Sequence, residues 1–238
     1  MKSTVLAVIL ARGGSKGLKR KNLQKIDGES LLGRVIGHAK QSKKISHILV
    51  STDDDEIADE ALKLGALVPF RRPAELSSDL ATTESALQHA LRHFELSWDK
   101  TVDICVFLTA TDIFRNPHWI DDCIEILEKS PEVESAFVGT ETHKNFWELN
   151  SEGRWVRLRD WMSEYSSRQI RRSIVREDTG LSCASRAYLW RQGKRIGDKV
   201  EIIVNRDDFS FIDIHTWQDL ELARSAVKIK RNLGSEKA

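Results

Sequence analysis

Thr4-Val5-Leu6-Ala7-Val8-Ile9-Leu10, followed by Ala11-Arg12-Gly13-Gly14-Ser15-Lys16-Gly17-Leu18-Lys19-Arg20-Lys21-Asn22, opens the chain with an apolar, β-branched run that stops at a basic, glycine-rich loop. A run of this length without polar alternation is what a strand buried on both faces requires. Working outward, Leu31, Leu32, Val35, Ile36 and Ala39 recur at helical spacing, Ser46–Ser51 reads as a second strand, and Ile57, Ala58, Ala61, Leu62 and Leu64 read as a helix ended by Gly65. A helix from about Thr82 to Phe94, a strand at Asp103–Leu108 and a helix begun by Asn116 as cap with Pro117 in its first turn continue the alternation. Strands and helices in this order cover both faces of a sheet, which predicts an α/β fold: a doubly wound, mostly parallel sheet in a three-layer α/β/α arrangement.

From Ser135 the pattern changes. Ser135–Glu141 and Phe146–Asn150 read as short strands meeting a Ser151-Glu152-Gly153 turn, and a charged stretch follows to Glu177. The sheet pattern is expected to resume at Val200–Val204 and Phe209–Ile214, with a closing helix from about Thr216 to Lys230. Without a repeat or a low-complexity linker, the expectation is one domain over residues 1–238 carrying an insertion at about 140–180.

Thirty-seven Lys and Arg balance thirty-six Asp and Glu, so no global positive field exists to hold a nucleic acid. The longest apolar runs, Val5–Ala11 and Ile104–Leu108, fall short of the ~20 residues that span a bilayer. Arg12 and its basic loop stand where a signal peptide would need a cleavage site. Cys105, Cys123 and Cys183 are odd in number and lack metal-site spacing. Together these features predict a cytoplasmic protein with buried thiols and no membrane contact.

Four clusters bear chemistry. The loop carries Arg12, Lys16, Lys19, Arg20 and Lys21 with no acidic residue, and Gly13, Gly14 and Gly17 let backbone N–H groups approach an anion. A polyphosphate fits this loop best, although neither Walker A nor G-x-G-x-x-G spacing is present. Asp53, Asp54, Asp55 and Glu56 follow a strand; the last three suit the first turn of a helix, while Asp53 lies nearest the strand's carboxyl end, where ligands of open α/β sheets bind. Thr109-Ala110-Thr111-Asp112 ends another strand, and with Asn116 serving as the cap the Asp112 carboxylate is left for a hydroxyl or a metal. Asp213 and His215, two apart on an alternating stretch, project from one face. In the insertion, Arg168 is kept from among Arg168, Arg171, Arg172 and Arg176 as the guanidinium for a substrate carboxylate.

Leu10 through Gly17 with Arg20-Lys21-Asn22 resembles the signature loop of the acylneuraminate cytidylyltransferases, the CMP-sialic acid synthetases and their bacterial relatives for other nonulosonic acids. Ser51-Thr52-Asp53-Asp54, then Gly65-Ala66 through Val68-Pro69-Phe70, Arg72-Pro73-Ala74-Glu75-Leu76 and Ser78-Asp79, resemble further family blocks in the right order. The resemblance implies transfer of CMP from CTP to the anomeric hydroxyl of a nine-carbon α-keto sugar acid, with release of pyrophosphate and a requirement for Mg²⁺. It implies the Rossmann-like nucleotide-diphospho-sugar transferase fold, and a homodimer in which the insertion crosses to the other subunit. On this resemblance Arg12, Ser15, Lys16, Lys21 and Asn22, with Ala11, Gly13 and Gly14 of the same loop, contact CTP. Arg12 and Lys21 neutralise the leaving pyrophosphate, Asp213 holds the metal, and Lys144 and Arg168 contact the sugar acid. The general base stays open between metal-bound water and Asp213.

Two positions depart from the family pattern. Thr109 stands where the family has a Gln that would contact the sugar, and Asp213-Ile214-His215 replaces an Asp-x-Asp metal segment. Mg²⁺ prefers oxygen ligands, so His215 is a poor direct ligand, and Asp112 is expected to supply the missing charge or to contact the sugar. Both departures fall on the acceptor side and suggest a modified acid such as a legionaminic or pseudaminic acid. Two alternatives remain: a nucleotidylyltransferase for another keto-sugar acid such as a keto-octulosonate, and a non-catalytic nucleotide-binding relative.

Overall fold

The computed structural model describes residues 3–167 and 169–235. In chain order the elements are β1 (Val5–Leu10), a small hairpin of β2 (Lys25–Ile26) and β3 (Glu29–Ser30), α1 (Leu31–Gln41), β4 (His47–Ser51), α2 (Asp55–Lys63), α3 (Thr83–Trp98), β5 (Ile104–Leu108), α4 (His118–Lys129) and β6 (Ser135–Thr142). A second hairpin, β7 (Trp147–Leu149) and β8 (Trp155–Arg157), then precedes β9 (Ile174–Glu177), β10 (Cys183–Arg186), α5 (Ala187–Arg191), β11 (Val200–Asn205) and α6 (Trp217–Ser235).

The central sheet runs β11-β6-β10-β5-β1-β4, with β9 also paired to β6. β4, β1, β5, β6 and β11 point the same way, while β10 runs antiparallel between β5 and β6, and β9 runs antiparallel to β6. The sheet is thus mostly parallel and flanked by helices on both faces, as the alternation predicts. β1 shows why. Val5, Ala7 and Ile9 pack on one face with residues of α1, α2, α4 and α6, whereas Leu6 and Val8 pack on the other with α3 and α5. Successive residues of a strand face opposite sides, so only a continuous apolar run satisfies a strand covered twice.

Local signals set the helix starts. Ser30, Asp54 and Thr82 cap α1, α2 and α3 by accepting from the N–H groups of Gly33, Ile57 and Ser85. Asn116 Oδ1 accepts from His118 N at 3.1 Å, but the cap position of α4 falls on Pro117, one residue later than expected. Gly65 takes φ +76° after α2, a left-handed conformation that ends a helix at little cost only for glycine. No described helix is long and apolar enough to cross a membrane. The three cysteines are buried and unbridged.

Two expectations need correction. Phe209–Ile214 is not a strand. Asn205 and Asp207 side chains accept from the N–H groups of Asp207 and Phe209, and these local turns divert the chain before a ladder can form. The alternation survives as burial, since Ile212 and Ile214 are buried while Asp213 and His215 are exposed. In the other direction, the segment between Glu177 and Val200 yields β10, a central strand. Its four residues include Ser185 and Arg186, whose polar groups are satisfied internally: Ser185 Oγ donates to Arg195 O at 2.6 Å, and Arg186 donates to Val133 O, Leu127 O and Ser130 O. The β7/β8 hairpin forms its own two-stranded sheet outside the main one and leaves Trp147, Leu149 and Trp155 exposed.

Candidate active site

After β1 the chain crosses through α1 to β4 on one side of β1, then returns through α3 to β5 on the other. The loops leaving the neighbouring parallel strands β1 and β5 start side by side, and a crevice opens there outside the strands' carboxyl ends. It is a cleft of about 340 Å³, lined by Arg12, Ser15, Lys21 and Asn22 from the first loop and by Thr109, Ala110 and Thr111 from the second. Arg72, Asp79, Thr82 and Thr83 form another wall, and His215 reaches its edge.

The glycine loop is held from several directions. Ala11 extends β1 by donating its N–H to Ser51 O at 3.0 Å, and Gly13 N donates to Asp53 Oδ1 at 2.9 Å. Asn22 is buried and its Nδ2 donates to Arg12 O at 3.0 Å, so it closes the loop on itself. Two of the glycines are demanded by close approach: a Cβ on Gly13 would lie 2.6 Å from Asp54 Oδ2, and one on Gly17 would lie 2.5 Å from His215 O. The Gly17 contact seats the loop against the Asp213 segment, whereas nothing lies within 4 Å of a Cβ on Gly14.

The cations of this loop divide by partner. Arg20 takes a left-handed φ of 56° and pairs with Asp54 at 2.6 Å and with Glu56, both at the start of α2, so its charge braces the fold. Arg12 pairs with Asp79 at 2.9 Å, Lys16 pairs with the same carboxylate, and Arg12 Nη1 also donates to Ser77 O at 3.3 Å. Lys21 is half-buried and forms no ion pair within 4 Å among the described residues. Burial pulls its pKa below the usual lysine value, an effect that Asp213 opposes, Arg12 reinforces, and Asp112 and Asp219 oppose more weakly. Loop, strand end and C-terminal segment thus converge on one amine.

On the facing side, Thr109 Oγ1 donates to Asp112 Oδ2 and Thr109 N donates to Gly180 O at 3.1 Å. Burial raises the Asp112 pKa to about 6; Arg115 and the Thr109 hydrogen bond oppose the rise, and Asp213 adds to it. Arg115 is buried and donates to Leu181 O, to Thr109 O at 2.7 Å and to Gly180 O at 2.5 Å. This guanidinium ties the end of β5 to the turn before β10. A Cβ on Gly180 would overlap Asp112 Oδ2. Asp213 and His215 do share a face, since His215 Nε2 lies 2.7 Å from Asp213 Oδ2. The described residues contain no group of three or more His, Cys, Asp or Glu side chains able to hold a metal.

Lys144 does not line this cleft. It borders a separate cavity of about 300 Å³ with Glu141, Thr142, His143 and Arg171. Arg168 lies outside the described residues. Asp53 acts on the site through Gly13 N, as an anchor of the loop. Reasoning from sequence gave no role to Arg72 or Asp79, although both lie in quoted blocks. Arg72 is buried at the cleft, its backbone N–H donates to Thr52 O at 2.8 Å, and its Nε and Nη2 have no hydrogen-bond partner among the described residues. Burial lowers its pKa, with Asp53 opposing. An arginine at a fixed distance after a strand carries no periodic signal, so its inward position emerges only with the fold.

The chain is similar to known proteins in sequence and in fold. It is 42% identical over 106 residues to post-translational flagellin modification protein B of Campylobacter coli and 41% identical over 104 residues to the CMP-N,N'-diacetyllegionaminic acid synthase of Campylobacter jejuni, stretches that cover 43% and 42% of this chain and 45% and 44% of those relatives. These matches span less than half the length of either relative. A Campylobacter jejuni pseudaminic acid cytidylyltransferase is 30% identical over 229 residues, or 94% of this chain and 96% of that protein. In fold the chain resembles a CMP:2-keto-3-deoxy-manno-octonic acid synthetase solved with CTP, with TM-score 0.68 and 16% identity over 96% of this chain and 100% of that one. The profile of the family described as Cytidylyltransferase matches residues 6–222, and the chain therefore belongs to the cytidylyltransferase family of nucleotidyltransferases.

Proposed function

We propose that the protein transfers CMP from CTP to the anomeric hydroxyl of a nonulosonic acid and releases pyrophosphate. The observation that carries this reading is the cleft itself, in which Arg12, Ser15, Lys21 and Asn22 face Thr109–Thr111 across the carboxyl ends of β1 and β5. The anomeric hydroxyl gives up its proton to a general base and its oxygen attacks the α-phosphorus, the bond from that phosphorus to the bridging oxygen breaks, and the electron pair leaves with pyrophosphate. Such a displacement asks the protein for positioning and charge neutralisation. Lys21, which forms no ion pair among the described residues and is flanked by Arg12, can meet the negative charge that develops on the leaving group. The backbone of Gly14 and Ser15 and the Lys16 ammonium extend the same anion site. Arg72 lines the cleft, and its buried Nε and Nη2, which have no hydrogen-bond partner among the described residues, are candidate donors to a base that settles against it. Cytosine presents adjacent O2 and N3 acceptors to such a fork, whereas uracil carries a proton at N3.

The donors fit Mg²⁺. Asp213 and Asp112 both influence Lys21 and both are hard oxygen ligands, and Mg²⁺ is commonly held by one or two carboxylates plus phosphate oxygens and water. Bound by Asp213, with Asp112 adding charge or meeting the sugar, Mg²⁺ would neutralise the triphosphate. His215, paired to Asp213, orients that carboxylate. The exposed aromatic residues of the β7/β8 hairpin and the position of Lys144 outside the cleft support a homodimer in which this segment, with Lys144 and Arg168, reaches the acceptor side of the other subunit. The buried, unbridged thiols support a cytoplasmic setting.

The test is pyrophosphate release from CTP, UTP, GTP and ATP against legionaminic, pseudaminic, N-acetylneuraminic and keto-octulosonic acids. Turnover with CTP and a nine-carbon acid is expected. Preference for UTP or GTP rejects the cytidylyl assignment, turnover with the eight-carbon acid alone rejects the nonulosonic one, and CTP binding without turnover indicates a non-catalytic relative.

A further inference from the structure

Asp79 lies on the wall of the cleft with Ser78, Thr82 and Thr83, so a ligand filling the cleft meets its carboxylate. That carboxylate pairs with Arg12 at 2.9 Å and also with Lys16, two of the cations that the proposed function assigns to the phosphates. The pairs hold Asp79 below the usual carboxylate pKa range, Lys16 contributing first and Arg12 next. A polyphosphate and an ionised carboxylate cannot share these two cations without strong repulsion. The contrast with Arg20 is informative: its acidic partners sit at the start of α2, and Asp54 also caps that helix, so this pairing belongs to the scaffold. Among the described residues Asp79 makes no comparable hydrogen bond to a helix end, and the side chains of Lys16 and Asp79 are 83% and 44% exposed. Exposed pairs of this kind are weak and readily exchanged.

We propose that Asp79 is an internal counter-ion that competes with the phosphate chain for Arg12 and Lys16, and so sets the affinity of the site for CTP and for the pyrophosphate that must leave. This inference rests on the reading of the cleft as a CTP site. Arriving triphosphate displaces the carboxylate; after transfer, re-formation of the Asp79 pairs draws the two cations away from pyrophosphate and favours its departure. The residue acts through Arg12 and Lys16 and touches no reacting atom, which makes it a positioning residue.

Calorimetric titration of CTP and of inorganic pyrophosphate into wild type, Asp79→Asn and Asp79→Glu tests the proposal. Asp79→Asn should tighten both ligands by roughly three- to tenfold, the scale expected of two partly exposed ion pairs, while Asp79→Glu stays near wild type. In a Lys16→Met background the gain from Asp79→Asn should shrink, because one of the contested cations is gone. Unchanged or weaker binding of both ligands to Asp79→Asn overturns the inference, since a side chain that only shapes the loop or holds a metal gives that sign. Wild type that binds pyrophosphate but not CTP overturns the nucleotide reading instead, and the pyrophosphate titrations then decide the role of Asp79 alone.

Discussion

Arg115→Met removes the guanidinium that joins the end of β5 to the turn before β10. Arg115 is 4% exposed and donates to Leu181 O, Thr109 O and Gly180 O, with the Asp112 carboxylate close enough to raise its pKa against the burial that lowers it to about 10. Gly180 O keeps the N–H of Thr109, at 3.1 Å, after the substitution. Thr109 O and Leu181 O lose their guanidinium donor, at a cost of ~1–3 kcal/mol for each buried acceptor left unmet. Asp112 also loses the nearby positive charge that offsets its burial, which adds to this cost. These contributions overlap, so the expected loss is about 3–5 kcal/mol, a large part of the ~5–15 kcal/mol that stabilises an ordinary domain. Urea unfolding should show a lower midpoint with an unchanged slope. Arg115→Lys, which keeps the charge but cannot reach all three carbonyls, should fall between. Adding Asp112→Asn to Arg115→Met should recover part of the loss, because the stranded carboxylate is then neutral. A loss below about 1 kcal/mol for Arg115→Met, or no recovery in the double variant, would refute the claim that one buried cation organises this side of the cleft.

Lys21→Met should reduce kcat/KM for CTP by about 10²–10³, as loss of one donor to a developing anion does, with little change in the urea midpoint because Lys21 braces nothing; pyrophosphate release reports the first quantity. Gly17→Ala drives a Cβ to 2.5 Å from His215 O and should cost ~1–3 kcal/mol in urea unfolding, whereas Gly14→Ala, with open space around it, should be nearly neutral there. The Asp112 carboxyl titrates at about 6 in the folded chain against 3.8 for the ordinary group, so the folded state binds its proton more tightly. Its contribution to stability is present below the lower value and is lost as pH rises through the higher one. Asp112→Asn should flatten the stability profile between about pH 4 and 6 in metal-free buffer, and should alter either the Mg²⁺ optimum or the KM for the sugar acid.

The seven-residue run at Thr4–Leu10 and the loop after it specify a strand buried twice and a cationic turn, because both depend on composition over a short window. The partners of that turn are remote in sequence. Gly17 reads as one more turn glycine until His215 O is found against it. Asp79 reads as a loop residue until it takes the charges of Arg12 and Lys16. The alternation at Ile212–His215 truly reports which side chains are buried, but burial alternates equally well along an extended segment that pairs with no strand, and periodicity cannot tell the two apart. β10 is silent in the sequence for the converse reason: four residues with a serine and an arginine carry too little apolar signal, and the strand exists because β5 and β6 supply ladders on both its edges.

Patterning along the chain was enough for the α/β class, the helix starts near Asp54 and Thr82, and the basic turn at the first strand's end, since each arises from interactions within a few residues. The antiparallel insertion of β10, the crevice between the β1 and β5 loops, the buried placement of Arg72 and Arg115, and the separation of Lys144 from that crevice arise from contacts across tens of residues. Such contacts form when the sheet closes and burial removes water from polar groups that must then find partners, and no local window of sequence records which partners those will be.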